Sequence, residues 1–187
     1  MPEATFEEIV AAMKDAAGVL QQRGIPFILG GGMAAWARGG PKTEHDVDFM
    51  IREADLGEAV AAFESAGYRS ERPPEGWLHK VWVDDVLVDL IFDPSGGPVT
   101  NETFGRAELI EVVSLRIQVA SLEDVMTQKL LALTEQEPDY SSVLEIARAL
   151  REQIDWQTVR KRTESSAFAK GFFTIVEDLD VVERPPT

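Results

Sequence analysis

The chain of 187 residues contains no cysteine, which excludes a disulfide framework and thiolate chemistry. Its two histidines are too few for a His-rich metal site. No apolar run approaches the ~18 residues needed to cross a bilayer. The first twenty residues carry acids throughout, where a signal peptide has a basic start and an unbroken apolar centre. The expectation from these absences is a cytoplasmic protein with no membrane partner. Positive charge is also scarce: 18 Lys and Arg stand against 33 Asp and Glu, a formal charge of −15. Such a balance argues against broad electrostatic capture of nucleic acid, which needs a basic face. The deficit is uneven, because Lys129 to Lys170 holds seven basic and seven acidic residues and is neutral.

What is present fits a globular domain. Hydrophobic residues make up 44% and charged residues 27%, ordinary values for a chain long enough to bury a core. Phe6, Ile9, Val10, Met13, Ala17 and Leu20 recur at helical spacing, which predicts an amphipathic helix over about 5–22. Gly24 and Pro26 then introduce the strand "PFILG". A short helix over "MAAWAR" is stopped by Gly39, Gly40 and Pro41, the strand "DVDFMI" follows, and a helix over about 55–66 ends at Gly67. "HKVWV" and "VLVDLIF" flank Asp84 and Asp85 as a hairpin. "DPSGGPVTNETFG" reads as a surface loop, and "AELIEV" and "LRIQVA" read as strands. Helical patterns then cover about 121–134, 140–152, 155–163 and 166–179. This order predicts an α/β fold, a small mixed sheet with packed helices. Residues 1–120 would form its core and 121–187 a helical section packed on that core.

Within "DVDFMI", Asp46 and Asp48 interrupt an otherwise apolar strand. Strand interiors disfavour Asp, and burial of an unpaired carboxylate costs several kcal/mol or more. Residues i and i+2 of a strand share a face, so both carboxylates point the same way. Two such groups ionise together only with a cation between them, or with a structural Lys or Arg partner. Oxygen-only ligands favour a hard cation, Mg²⁺ or Mn²⁺. Asp89 repeats the anomaly in "VLVDLIF". On an adjacent strand, ~4.8 Å away, it would complete the three carboxylates that a two-metal phosphoryl-transfer centre uses. Gly30, Gly31 and Gly32 lie between a strand and a helix, where bare backbone N–H groups approach an anion. A triphosphate bridging that turn and the metals explains both features.

"GGGMAAWARGG" followed by "DVDF", with "VDLIF" downstream, resembles the nucleotidyltransferase superfamily of the DNA polymerase β fold. The resemblance covers about residues 25–92 and implies nucleoside monophosphate transfer from an NTP to an acceptor hydroxyl. It implies that Gly31 and Gly32 hold the phosphates and that Asp46, Asp48 and Asp89 ligate the metals, with Asp89 available as the base. "SLEDVMTQKLLALTEQEPDYSSVLEI" resembles AbiEii-type toxins, which include the mycobacterial MenT toxins, with Lys129 and Asp139 matching their pattern. Ser142 stands where many members carry a second acid, and Gln136 replaces the usual basic residue. That resemblance implies the tRNA 3′ end as acceptor and a cognate antitoxin as partner. The tRNA 3′ end is therefore the preferred acceptor; the triple glycine is also similar to aminoglycoside and lincosamide nucleotidyltransferases, the alternative, and a non-catalytic nucleotide- or partner-binding module is the second alternative.

Lys129 also stands out by position alone. Leu122, Val125, Met126, Leu130 and Leu133 form one apolar helix face with Lys129 in its middle, where an ammonium must snorkel or meet an anion. A nucleotide phosphate or the aspartates would serve. Asp124 takes the capping-box position of the same helix, after Ser121. Thr43 is expected near a phosphate, Arg38 and Lys42 as solvated cations, His45 at the surface, and Trp36 and Trp77 in the core. Asp139 also reads as a helix cap.

Overall fold

The computed structural model describes residues 4–43 and 46–184. Helix α1 (Phe6–Gln22) starts where Thr5 and Glu8 cap each other, and it buries Ile9, Met13 and Leu20. The predicted strand after Pro26 shrinks to β1 (Ile28–Leu29), and α2 (Gly31–Ala37) begins within the glycines themselves. Then follow β2 (Val47–Met50), α3 (Glu53–Ser65), β3 (Arg69–Glu71), β4 (Leu78–Val83) and β5 (Val86–Ile91). Next come α4 (Asn101–Arg106), β6 (Glu108–Val112) and β7 (Leu115–Val119). The chain closes with α5 (Leu122–Ala132), α6 (Ser141–Leu150), α7 (Trp156–Arg162) and α8 (Ala167–Asp178).

The seven strands form one mixed sheet in the order β3-β4-β5-β2-β1-β7-β6. Asp84 and Asp85 adopt φ of +48° and +69°, the positive pair that a two-residue hairpin turn demands and that Asp tolerates. From that turn the β4–β5 register runs outward to pair Lys80 with Asp89. β5 then lies parallel to β2, with Asp48 opposite Asp89. Alternation decides what covers each face. Val81, Val83, Val88 and Leu90 are buried on one side of β4 and β5, whereas Lys80, Trp82, Leu87 and Ile91 on the other are only half-buried. Helices α1 and α3 pack on the first side. One continuous apolar cluster includes residues from α1, the sheet and α5 to α8, so the helical section shares the core of the sheet.

Three features depart from the sequence reading. β3 is a three-residue edge strand with exposed ends. α4 occupies the end of the expected surface loop, started by reciprocal capping between Thr100 and Thr103. The β6–β7 turn holds Val113 and Ser114 at φ of +49° and +66°, a conformation that a β-branched residue disfavours. Among the described residues no helix is long and apolar enough to cross a membrane.

Candidate active site

The parallel pairing of β2 and β5 brings the three aspartates together. Ligand oxygens of Asp46, Asp48 and Asp89 all lie within 4.8 Å of one another. Asp46 and Asp48 are half-buried, and Asp89 is buried, with an Oδ1 that has no hydrogen-bond partner among the described residues. Burial, then the Asp46 and Asp89 charges, push Asp48 up to about 8, against a smaller opposing pull from Lys129. Burial and Asp46 push Asp89 up to about 6, opposed by Lys80 and reinforced by Glu75. Carboxylates crowded to this degree are poised for a divalent cation, which would reverse both shifts. The all-oxygen donor set fits Mg²⁺ or Mn²⁺.

The glycine turn is built against this cluster. Gly30 donates its N–H to the Asp48 carbonyl at 2.8 Å. Gly31 sits at φ +53°, and a Cβ there would fall 1.7 Å from Asp48 Oδ2. A Cβ on Gly32 would fall 2.8 Å from Thr43 Oγ1. Side chains are therefore excluded because the turn touches Thr43 and the Asp48 side chain. Lys129 is half-buried on α5, and its charge reaches Asp48. Gly31, Gly32, Thr43, Asp46, Asp48, Asp89 and Lys129 thus belong to one neighbourhood.

Other expectations shift. Arg38 is not a solvated cation: Nε donates to the Ala120 carbonyl at 2.8 Å, Nη2 to the Val119 carbonyl at 3.2 Å, and Nη1 pairs with Glu108 at 3.3 Å. It ties the end of α2 to β6 and β7. Asp124 leaves its capping position to Ser121, and its buried carboxylate meets Arg106 and Arg162 instead. Asp139 is exposed and accepts from the Ser141 N–H at 2.8 Å. Those hydrogen bonds hold its carboxyl below the usual range, so its place is the start of α6. Trp36 packs edge-on against Phe6, as a core residue should, but Trp77 is 40% exposed. His45 lies outside the described residues. Lys80 was missed, although counting outward from the Asp84–Asp85 turn pairs it with Asp89.

Comparison with known proteins gives the same picture. The family model described as "Nucleotidyl transferase of unknown function (DUF2204)" matches residues 9–169. No curated protein matches the sequence. Among solved structures, ANT(2")-Ia in complex with adenylyl-2"-tobramycin aligns at TM-score 0.64 and 16% identity, over 87% of this chain and 98% of that one. The lincosamide antibiotic adenylyltransferase LnuA, bound to lincomycin, aligns at TM-score 0.52 and 14% identity, over 73% of this chain and 94% of that one. The Megavirus polyadenylate synthase aligns at TM-score 0.53 and 14% identity, over 82% of this chain and 33% of that one. These likenesses establish a shared fold.

Proposed function

The chain belongs to this nucleotidyl transferase family, and we propose that it moves a nucleoside monophosphate from an NTP to a hydroxyl of a small acceptor. The observation that carries the transfer is the cluster of three carboxylates within 4.8 Å, beside a glycine turn with no room for side chains. Asp46, Asp48 and Asp89 would hold divalent cations, whose chemistry there is Lewis-acid polarisation of phosphoryl oxygens and charge screening. The Gly31–Gly32 turn, Thr43 and Lys129 would bind the triphosphate, with the ammonium opposing its charge. Asp89 lies between Asp48 and Lys80 across the strands, on the same face of β5 as Leu87 and Ile91. It would accept the hydroxyl proton as the acceptor oxygen bonds to the α-phosphorus and the bond to pyrophosphate breaks.

The acceptor would lie over the half-buried face of β4 and β5, formed by Lys80, Trp82, Leu87 and Ile91, with the Arg69 guanidinium 3.4 Å from the Trp82 ring centroid. An apolar and aromatic platform a few residues wide suits a hydroxylated ring system. RNA would need a run of free cations. In the neutral C-terminal region Arg160 pairs with Glu177, Arg162 with Asp124, and Arg151 approaches Glu152 at 3.9 Å. The alternative of a tRNA-modifying toxin with an antitoxin, close to the AbiEii and MenT proteins, rests on the pattern from Ser121 to Ile146.

The test is incubation with each α-labelled NTP and Mg²⁺, offering total tRNA, an aminoglycoside and a lincosamide. Label on a small acceptor is the expected result. Label confined to tRNA would overturn the acceptor and leave the transfer standing; no label on any acceptor, with no NTP binding, would overturn both.

A further inference from the structure

A polar cavity of about 310 Å³ lies between the 94–99 loop, α4, α5 and α7, and none of the three aspartates is among its lining residues. Asp124, Thr127, Gln128 and Leu131 line it from α5, and their spacing places them on one helix face. Lys129 follows Thr127 by two positions, about 200° around the helix, so the lysine whose charge reaches Asp48 leaves α5 on a different side from Thr127. Asp124 is the one acid among the described lining residues. Its carboxylate accepts from Arg106 Nε at 2.9 and 3.0 Å and from Arg162 Nη1 at 2.7 Å. One buried carboxylate therefore holds two guanidinium groups, and the triad keeps a net positive charge. Both amino groups of Arg106, and the Nε and Nη2 of Arg162, make no hydrogen bond within the described residues. Thr127, 8% exposed, has a buried hydroxyl that is also without a partner. Gly96 and Gly97, at φ of +108° and +115°, complete the rim without side chains.

A purely structural ion pair needs one arginine, and it has no use for an unpartnered hydroxyl in the same cavity. Two guanidinium forks and a hydroxyl around a space of this size match a tetrahedral dianion. We propose that this cavity is a binding site for a phosphate group, as free phosphate or as a phosphomonoester, separate from the site for the NTP. Arg106 and Arg162 would bind the anion and Asp124 would keep their planes fixed. Thr127 would donate the remaining hydrogen bond.

The test is thermal denaturation in EDTA at constant ionic strength, titrating inorganic phosphate or glucose 6-phosphate against NaCl. The expected result is a saturable rise in Tm with at least one phosphate species, and the tighter of the two identifies the source. Thr127→Val, which keeps shape and fold, should weaken binding several-fold, and Arg106→Gln about tenfold or more. Lys129→Met should leave phosphate binding unchanged. A Tm that follows NaCl alone, unweakened binding by Thr127→Val, or loss of binding in Lys129→Met would each overturn the proposal.

Discussion

Asp48 is the residue on which the cleft turns. Its carboxyl is raised to about 8 by burial and by two neighbouring acids, against 3.8 when the chain is unfolded. Between these values the native state holds a proton that the unfolded chain releases, so metal-free stability falls as pH rises from about 4 to about 8. Asp48→Asn removes that dependence. In EDTA at pH 8 it should melt higher than wild type by a few degrees, where ~1 kcal/mol corresponds to ~2–4 °C, and the gap should close near pH 4. Equal melting at pH 8 would show that the carboxylates do not repel. The anomaly of Asp46, Asp48 and Asp89 was legible because acids are out of place in apolar strands. Their convergence was not, since nothing local in the sequence fixes which strand lies beside β2; the pairing of Asp48 with Asp89 depends on the whole sheet order.

Among elements, α5 carries most of the logic. Its helical period made Lys129 conspicuous, and the structure puts that charge near Asp48. The same reading left Asp124 as a cap, because its partners Arg106 and Arg162 lie 18 and 38 residues away and on other helices. Lys129→Met keeps the apolar stem and removes the charge. Thermal stability should change by less than ~1 kcal/mol while NTP affinity falls roughly tenfold, measured by calorimetry. A large loss of stability with unchanged NTP affinity would make Lys129 a structural ion. Elements with a strong period or with Gly and Pro punctuation were legible, including α1, α3 and the β4–β5 hairpin. β3 was missed because three residues carry no period, and α4 because Thr100 and Thr103 sit in a segment rich in Gly and Pro. The turn at Val113 and Ser114 lacks the Gly, Asn or Asp that a hairpin turn with two positive φ angles favours.

At the scale of the molecule, charge is the governing quantity. The formal charge is −15, and Arg38, Arg106, Arg160 and Arg162 are all tied to acids. Arg148 and Arg151 are exposed at the end of α6, within the neutral stretch from Lys129 to Lys170. With a small acceptor, replacing both with Glu should change kcat/KM for labelled transfer by less than about twofold. A steep loss confined to tRNA would favour the toxin reading instead. The claim beneath every other is that the three aspartates form one metal-dependent nucleotide centre. Calorimetric binding of each NTP, with Mn²⁺ and with EDTA, to wild type and to Asp46→Asn, Asp48→Asn and Asp89→Asn measures this most directly. The prediction is that Mn²⁺ raises wild-type affinity for at least one NTP tenfold or more and that each substitution removes the gain. NTP binding equally tight in EDTA and in all three variants would contradict it.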